Sequence, residues 1–400
     1  MSTANQTVIT GVGMTKFGKA LERSLKDLAG EAISKAIADA GLAKEDLGCV
    51  FASNSVAGVM TGQEAVRGQV SLKSSGIGGI PLFNIENACA SGSSAFHLAD
   101  VYVRGGMADV ALVVGFEKMV HPDKAVSFKA LETCTDVEEL AALQRRLGAA
   151  DKGRSIFMDL YAEKVRAYLK KSEATPNHLA AIAAKNHCNG ANNTHAQYQK
   201  RHDVESVLGS RTIVEPLTLL MCSPLSDGAA AIVLVSSDWA KSHGVDGPKV
   251  AATGITSDSL ESEGSQVAAL ARRVYERAGI NGADVDLAEV HDATAAGELF
   301  AYEDLDLAPR GEGWRLIDEG DVFIGGRVPV NPSGGLIARG HPIGATGIAQ
   351  LCELTWQLRG EAGVRQVQGV EVAVAHNRGG RVANEMTSGS AAMSIIVLKG

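Results

Sequence analysis

The 400-residue sequence is poor in aromatic residues, which make up only 4% of it, and it contains only 10 prolines. Glycine is abundant, at 45 residues, and hydrophobic residues account for 45%. The cores must therefore be built from small and aliphatic side chains, with close backbone approaches at glycine. Such a composition favours stacked helices and sheets over an all-β sandwich, and the length predicts two or three packing units.

Several signals of other functional classes are also missing. The six cysteines form no CxxC pair, so we expect neither a zinc framework nor a disulfide scaffold, and no bound metal. There is no GxxxxGK[ST] motif, and Gly11-Val12-Gly13 lacks the rest of a dinucleotide fingerprint, so we expect no bound cofactor. The net charge of −8 argues against nucleic acid as a partner.

Membrane and secretion signals are absent from the sequence. No run of 18 apolar residues predicts a membrane span, and residues 1–5 lack the charged and apolar regions of a secretory signal. The cysteine usage fits a reducing compartment. We therefore predict a cytoplasmic protein.

The chain repeats a pattern at an offset of 238 residues. Ala40-Gly41-Leu42 precedes Asp46-Leu47 by four residues, and Ala278-Gly279-Ile280 precedes Asp284-Val285 by four. Each match follows a strand-like run and a helix with a one-sided apolar stripe. We predict a duplicated α/β unit whose sheets are mixed or parallel.

Residues 118–222 interrupt this pattern, and we interpret them as an insertion. The segment is helical, polar and irregular. Within it, the stretch Asn186–Asn193, which includes His187, predicts a polar loop. Its 15 Lys+Arg against 12 Asp+Glu give +3, whereas the remainder of the chain has 23 − 34 = −11. A relatively positive insertion could cover a polyanionic ligand, but it could equally be a solvated cap.

Cys89 is the first candidate for chemistry. It lies in Asn87-Ala88-Cys89-Ala90-Ser91-Gly92-Ser93-Ser94, between an apolar strand-like run and an amphipathic helix. A thiol at a helix N-terminus experiences the positive end of the helix dipole, which favours the thiolate, and the free N–H groups there can hold an oxyanion. The local sequence is equally consistent with a buried cysteine in a Gly/Ser-rich turn.

Three polar sites follow predicted strands in the second half of the chain. They are His291-Asp292-Ala293-Thr294, the stretch from Asn331-Pro332-Ser333-Gly334-Gly335 to Gly340-His341-Pro342-Ile343-Gly344, and His376-Asn377-Arg378-Gly379-Gly380. In a duplicated α/β architecture such strand ends meet at one crevice, here together with the Cys89 turn. A thiol, imidazoles and glycine-rich backbone donors form a set typical of acyl transfer. Individually, each histidine or glycine cluster could be structural.

The sequence resembles the thiolase superfamily over essentially its whole length. Within it, the sequence is most similar to the sterol-carrier-protein-type thiolases, which are acetyl-CoA acetyltransferase-like, and to bacterial lipid-transfer thiolase-like proteins. The resemblance rests on these motifs: Gly11–Phe17, Asn87–Ser93, Gly115–Met119, Cys222–Gly228, Glu289–Asp292, Asn331–Gly335, Gly340–Gly347 and His376-Asn377.

The resemblance implies an α/β fold of two βαβαβαββ halves, which form a five-layered α-β-α-β-α sandwich with an inserted loop domain. Residues 1–117 and 223–247 would form the N-terminal half, 118–222 the inserted domain and 248–400 the C-terminal half. The family also implies a homodimer or homotetramer that acts in lipid metabolism on a coenzyme A thioester as substrate.

The resemblance also implies roles for individual residues. Cys89 is similar to the nucleophile that carries the acyl group, and His341 to the base that activates it and helps to bind the thioester oxygen. His291 stands where relatives orient a catalytic water in a first oxyanion hole. The N–H groups of Cys89 and Gly379 would form a second hole, and we assign Ser333, Gly334 and His376 to substrate binding.

The sequence departs from the family at the second catalytic thiol. Asn377 occupies the place of the second cysteine of degradative thiolases, and Ala293 replaces the cysteine of the sterol-carrier type. Loss of a general acid/base costs about 10²–10⁴-fold in rate unless another group substitutes. Thr294, His376 or a water could substitute.

Three functions are consistent with these residues. The first is a CoA-dependent acyltransferase that forms an acyl-enzyme on Cys89 from acyl-CoA or 3-ketoacyl-CoA. The second is a condensing synthase or aldolase subunit that needs a small accessory protein. The third is a non-enzymatic acyl-CoA or lipid-binding protein, which the missing thiols favour and the retained Cys89 and His341 oppose.

Overall fold

The computed structural model of the chain describes residues 6–149, 153–259, 264–382 and 389–400. The first part contains β1 (Thr7–Met14), α1 (Leu25–Asp39), β2 (Cys49–Ser53), α2 (Ala57–Thr61), α3 (Arg67–Leu72), β3 (Leu82–Ile85), α4 (Ser91–Arg104) and β4 (Val110–Glu117). Next come α5 (Lys124–Glu132), α6 (Leu140–Leu147), α7 (Ile156–Leu169), α8 (Pro176–Ala191), α9 (Val204–Leu208), β5 (Thr212–Val214) and β6 (Leu217–Thr218).

The rest of the chain begins with β7 (Gly228–Ser236), α10 (Ser237–His243), β8 (Lys249–Thr256), α11 (Gln266–Ala278), β9 (Leu287–Glu289), α12 (Ala295–Asp304) and α13 (Arg315–Asp318). It ends with α14 (Gly335–Arg339), α15 (Ile343–Arg359), β10 (Val372–Gly379) and β11 (Ala392–Lys399). None of the helices in the described ranges is both long and apolar enough to span a lipid bilayer.

Nine strands pair in the order β3-β2-β4-β7-β1-β8-β11-β10-β9. Strands β1 and β8 meet at a single residue pair, Val8 with Lys249, so the strands divide into a five-stranded and a four-stranded sheet. In the second sheet the fifth strand is reduced to one parallel bridge between Val330 and Ala288. Asn331 turns the chain there with a φ of 55°, and the prolines at 329 and 332 lack an N–H, so the strand cannot continue.

The two sheets and their helices form the predicted five layers. Val110, Leu112 and Val114 of β4 pack with α1 in one core, while Ala111 and Val113 face the opposite way into a second core. The second core holds side chains of α4 and α15 and is closed by β10 and β11. The other face of β10 and β11 packs against α11 and α12 in a third core. This alternation follows from the two-residue period of strands.

The predicted duplication is visible in local detail. Gly41 and Gly279 both follow a helix with a φ of 65°. Short 3₁₀ turns then begin at Lys44 and Gly282, and in each an aspartate accepts a hydrogen bond from the N–H three residues earlier, 2.8 Å in both cases. The next strands begin at residues 49 and 287, again 238 apart. The first helix of the repeat begins with a capping box formed by Ser24 and Asp27.

The N-terminal turns of α4 and α15 touch at the centre of the molecule. A Cβ at Gly347 would lie 2.5 Å from the backbone nitrogen of Ser93, and one at Gly92 would lie 3.0 Å from the carbonyl oxygen of Gly344. The approach therefore requires glycine. Since Cys89 lies just before α4 and His341 just before α15, this contact brings the two candidate catalytic residues together.

The prediction of a loop at Asn186–Asn193 is wrong. Most of this segment belongs to α8, a helix with Pro176 in its first turn. Its asparagines are buried rather than solvated: Asn189 donates to the carbonyl oxygen of Asn331 at 3.0 Å, and Asn193 donates to that of Ser333 at 2.8 Å. A helix face whose polar side chains donate hydrogen bonds to the backbone of another segment has the same amino-acid composition as a loop.

Candidate active site

Cys89 lies in a 3₁₀ turn, Ala88–Ala90, that joins β3 to α4. The turn is strained, because Ala88 adopts a φ of 48°. Two hydrogen bonds of Ser91 hold it: Oγ accepts from the N–H of Asn87 at 2.9 Å and donates to the carbonyl oxygen of Ala88 at 2.6 Å. The half-buried thiol is thereby presented at the N-terminus of a helix.

The end of β10 lies directly against this turn. A Cβ at Gly379 would collide with the carbonyl oxygen of Asn87 and would lie 2.6 Å from the nitrogen of Ala90 and 3.0 Å from that of Cys89. The backbone N–H groups that act on the Cys89 sulfur are those of Gly380 and of Cys89 itself. The role of the Gly379 N–H in an oxyanion hole stays a prediction.

The hydrogen bonds of His341 fix its tautomer. The Thr346 hydroxyl donates its single proton to the carbonyl oxygen of Pro342 at 3.0 Å, so the oxygen can only accept from Nδ1 of His341, 2.7 Å away. Nδ1 therefore carries the proton, and Nε2 has a free lone pair. The backbone is fixed as well, since the N–H of His341 donates to Oγ of Ser226 at 3.1 Å.

A chain of side-chain amides fixes the tautomer of His291 in the same way. The carbonyl oxygen of His376 can only accept, so Gln350 presents its amide nitrogen there, at 3.1 Å, and its oxygen to the amide nitrogen of Asn377, at 3.0 Å. The Asn377 oxygen then accepts from the N–H of Arg378 at 2.7 Å and from Nδ1 of His291 at 2.9 Å. His291 is left with a free lone pair on Nε2.

Cys89, His291 and His341 form one cluster. The sulfur and one nitrogen of each ring all lie within 4.8 Å of one another. The two imidazole rings meet edge to face, with centroids 5.1 Å apart and an interplanar angle of 84°. The structure thus brings together four of the predicted site residues, Asn377 included, and places Gly379 beside them.

Burial dominates the protonation of the cluster. It raises the pKa of Cys89 well above its usual range, the nearby Cys134 and Glu117 raise it further, and the N–H groups of Gly380 and Cys89 lower it. Burial therefore opposes the thiolate that the helix N-terminus favours. Burial also lowers the pKa of His291 to about 3 and that of His341 well below its usual value. Burial thus favours the neutral form of all three side chains.

The structure does not bring Ser333 and Gly334 to the substrate side of the site. Ser333 is fully buried and donates to Glu289 at 2.8 Å, and the same carboxylate accepts from Arg339 at 3.1 Å. Gly334, with a φ of 96°, packs against Gly190 of α8. Both residues belong to a buried polar layer beneath the cluster. Their role, as the structure places them, is to support the loop that leads to His341.

His376 is likewise displaced from its predicted position. It lies within β10 rather than after it, so its side chain points to the face opposite Asn377. The ring is buried, both nitrogens lack a hydrogen-bond partner among the described residues, and burial lowers its pKa to about 3. It does not line the cavity, so the structure does not support a direct contact between His376 and substrate.

A cavity of about 1580 Å³ opens above the cluster. Cys89, His291 and His341 line it together with Tyr161 and residues of α5, α6 and α7 from the segment 118–222. Basic side chains are frequent in its wall: Lys19, Lys124, Arg146, Arg154, Lys164, Arg211, Arg378 and Arg381. A cavity of this size and charge can hold a long anionic ligand with one reactive end.

The position of the missing second thiol is now visible. Ala293 lines the cavity, as does Cys222. Cys222 forms a β-bridge with Thr294, and its sulfur donates to the carbonyl oxygen of Thr218 at 3.4 Å. The Thr294 hydroxyl is buried without a partner among the described residues. Cys222 is not part of the 4.8 Å cluster.

Sequence reasoning missed Thr346 and Gln350. Both lie on the buried face of α15, where nothing in the helical spacing separates a positioning residue from a core residue. Tyr161 was missed because the packing of α7 on the cavity is a tertiary feature. In the described ranges, Cys89, His291 and His341 are also the one group of three side chains with metal-ligating atom types close together.

Comparisons with known proteins agree with this fold. Residues 7–238 match the family model described as thiolase, N-terminal domain, and residues 255–388 match the model described as thiolase C-terminal domain-like. Sterol carrier protein 2 of Bos taurus is 38% identical over 94% of this chain and 70% of its own length. An acetyl-CoA acetyltransferase of Methanothermobacter thermautotrophicus is 38% identical over 97% of this chain and 98% of its own length.

Two solved structures share the fold. One, named Ltp2-ChsH2(DUF35) aldolase, superposes with a TM-score of 0.80 at 23% identity, covering 99% of this chain and 98% of that chain. The other, an acetyl-CoA acetyltransferase from Syntrophomonas wolfei, has a TM-score of 0.70 at 19% identity, with 99% of both chains covered. A duplicated five-layered α/β fold with a buried cysteine–histidine cluster defines a thiolase-type protein. The chain belongs to the thiolase family.

Proposed function

We propose that this protein is a CoA-dependent acyltransferase that carries the acyl group on Cys89. The observation that carries the proposal is the thiol of Cys89 beside two imidazole nitrogens, all within 4.8 Å, at the base of a large basic cavity. The names of relatives that cover nearly the whole chain, such as acetyl-CoA acetyltransferase, support the same chemistry.

The geometry supports a defined first half-reaction. His341 takes the Cys89 proton on Nε2, and the sulfur attacks the thioester carbonyl as the new C–S bond forms. We assign the oxyanion hole to the N–H groups of Cys89 and Gly379. The N–H groups of Gly380 and Cys89, which act on the sulfur, support a site for negative charge at this turn. When the tetrahedral intermediate collapses, the C–S bond to CoA breaks and the CoA thiolate takes the proton back from His341. His291, whose Nε2 can only accept, is suited to hold a water that donates to the oxyanion.

The outer cations of the cavity are suited to CoA. Lys19, Lys124 and Arg211 are exposed at its rim, where the phosphates of CoA would lie with the thioester at Cys89. The acceptor in the second half-reaction is CoA, in thiolysis of a 3-ketoacyl-CoA, or a carbon acid. The homo-oligomeric state that the family resemblance implies, and the cytoplasmic location that the sequence composition predicts, remain predictions, which light scattering and cell fractionation would test.

A second candidate is an aldolase or condensing subunit that works with a small accessory protein. The absence of a thiol at Ala293 and Asn377 favours it, because a retro-Claisen step lacks its usual acid there. The solved structure with the 0.80 TM-score is named as an aldolase with a second component. Inactivity of the purified chain, with activity restored by a co-purifying small protein, would favour this candidate.

Intact mass spectrometry after incubation with a panel of acyl-CoAs tests the proposal. We expect one acyl adduct per chain, lost in Cys89→Ala and retained in the control Cys188→Ala, which changes a cysteine of α8 that does not line the cavity. If no thioester gives an adduct, the acyl-enzyme proposal fails and the chain is better described as an acyl-CoA or lipid-binding protein.

A further inference from the structure

Two cationic side chains lie beside the catalytic cluster rather than at the rim of the cavity. Arg378 directly follows Asn377, the residue that orients His291, and directly precedes Gly379 at the Cys89 turn. Lys164 lies on α7, one turn after Tyr161. The Tyr161 ring would be 3.4 Å from a Cβ at Gly297, which in turn would be 2.8 Å from the His291 carbonyl oxygen.

Neither cation forms a direct ion pair within the described ranges. No described carboxylate lies within 4.0 Å of Lys164 or Arg378, whereas Arg146 and Arg154, which line the same cavity, pair with Glu163 and Asp159. Lys164 is instead held with its ammonium 4.8 Å from the centroid of the Phe300 ring. Arg378 donates from Nε to the Ser390 hydroxyl at 2.9 Å.

Positive charge is in excess at this end of the cavity. Burial and, after it, the Arg378 guanidinium lower the pKa of Lys164 to about 8, although Asp304 and Asp258 act in the opposite direction. Two described carboxylates, Asp304 and Asp258, act electrostatically on both Lys164 and Arg378. Arg310 binds Asp304 at 2.9 Å, and burial raises the pKa of Asp258. Partly buried cations without a counter-ion are costly, and a bound anion would relieve that cost.

The anion that fits here is not a phosphate of CoA. When a thioester lies at Cys89, the extended pantetheine arm holds the phosphates at the far end of the ligand. Lys164 and Arg378 therefore face the acyl group. Because an α-helix rises 1.5 Å per residue, the backbone of Lys164 lies about 4.5 Å further along the axis of α7 than that of Tyr161. A short acyl chain can span this distance.

We propose that Lys164 and Arg378 form a carboxylate-binding subsite, and that the acyl groups this protein transfers end in a carboxylate. The inference rests on the proposed acyl transfer through Cys89 and narrows its substrate class to monothioesters of short dicarboxylic acids. Arg378 presents a planar pair of N–H donors to the carboxylate, and Lys164 adds a point charge.

The experiment compares thioesters of equal length with and without the terminal carboxylate. The second-order rate constant for acylation of Cys89 is measured by quenched intact mass spectrometry with glutaryl-CoA and pentanoyl-CoA. Succinyl-CoA with butanoyl-CoA, and adipyl-CoA with hexanoyl-CoA, give the shorter and longer pairs. The variants are Lys164→Met, Lys164→Glu and Arg378→Gln, with Lys170→Met as a control at the exposed end of the same helix.

We expect the unsubstituted protein to prefer the carboxylated member of at least one pair by about 10-fold or more, the effect of an unscreened charge pair in a partly buried site. Lys164→Met and Arg378→Gln should each reduce that ratio about 10-fold, Lys164→Glu should reverse it, and Lys170→Met should leave it unchanged. Because the readout is a ratio within each variant, a general loss of folding does not imitate the result.

Two results overturn the inference. One is the absence of a preference in every pair. The other is an equal fall of both rates in the variants, which would assign the two cations to CoA or to the enolate. Both leave acylation of Cys89 intact and are thereby distinguishable from failure of the proposed function, in which no thioester acylates the protein.

Discussion

The side-chain oxygen of Asn377 accepts a hydrogen bond from Nδ1 of His291 at 2.9 Å. The sequence resemblance aligns Asn377 with the second cysteine of degradative thiolases, and the amide at this position does not leave a gap. It ties His291 to Gln350 and to the backbone of β10, and it fixes the tautomer whose free lone pair is on Nε2.

Replacement of Asn377 with aspartate should raise the pKa of His291. In the unsubstituted protein burial and Arg378 hold that pKa at about 3, and a carboxylate at 377 would stabilise the imidazolium. Because protonated His291 cannot accept from a water, the acidic limb of the pH–rate profile for Cys89 acylation should move up by about one pH unit or more. Asn193→Asp, which changes a buried amide outside the cavity, is the control. An unmoved limb would contradict the assigned role of Asn377.

Removal of the Thr346 hydroxyl should slow acylation of Cys89. In Thr346→Val, Nδ1 of His341 loses its acceptor, so the tautomer with a free Nε2 is no longer favoured. We expect a fall of about 10–100-fold in the acylation rate, typical of a general base that is present but misaligned. Thr355→Val is the matched control, because this threonine is also buried on α15 but bonds only the helix backbone, at 2.8 Å. Equal loss in both variants would indicate damage to the helix instead.

Alkylation of Cys89 should keep accelerating with pH. Since burial raises the pKa of the thiol well above its usual range, little thiolate exists near neutral pH. The rate of reaction with iodoacetamide, followed by mass spectrometry at Cys89, should therefore rise without a plateau between pH 7 and pH 9. A plateau below pH 7 would reveal a resting thiolate–imidazolium pair and contradict the structure.

His376 should contribute a pH-dependent cost to stability. Its pKa in the folded state is about 3, below the usual value near 6.5, so the unfolded chain binds a proton that the folded chain cannot. The free energy of unfolding is not reduced above pH 6.5, and the reduction grows as the pH falls toward 3. At pH 5 it reaches about 2 kcal/mol.

The variant His376→Leu isolates this contribution. Between pH 7.5 and pH 5.0 its free energy of unfolding should gain about 2 kcal/mol relative to the unsubstituted protein, measured by denaturant unfolding. The surface variant His243→Leu should follow the unsubstituted protein at both pH values. A constant difference between His376→Leu and the unsubstituted protein would show that His376 finds a proton acceptor when folded.

The sequence sufficed for the architecture because its signals are local and repeated. The apolar stripe of α1, the Ser24–Asp27 cap and the turn at Gly41 each specify their own geometry. An apolar stripe and a serine cap recur in α11, and the turn recurs at Gly279, 238 residues after Gly41. The cluster of Cys89, His291 and His341 was predictable too, since strand and helix ends in a duplicated sheet meet at one edge.

The orientation of side chains at those ends was not predictable. His376 and Asn377 are neighbours in sequence, yet the alternation of β10 sends one into a core and the other to His291. The strand was expected to end at Ala375 but runs to Gly379, so proximity to a strand end misassigned His376. Ser333 was misassigned because its partner, Glu289, lies on a strand 44 residues earlier. A hydrogen bond between residues so far apart in sequence does not affect the spacing of motifs, so the spacing could not predict it.

The glycine contact between α4 and α15 has a consequence for how this site can evolve. The proposed nucleophile and base lie on the two predicted repeats, and their separation is set by two backbones that touch with no side chain between them. A single copy could fold without being able to perform the reaction. Mutational drift in one copy alters the geometry of the other's contribution, so selection acts on the pair rather than on either copy alone.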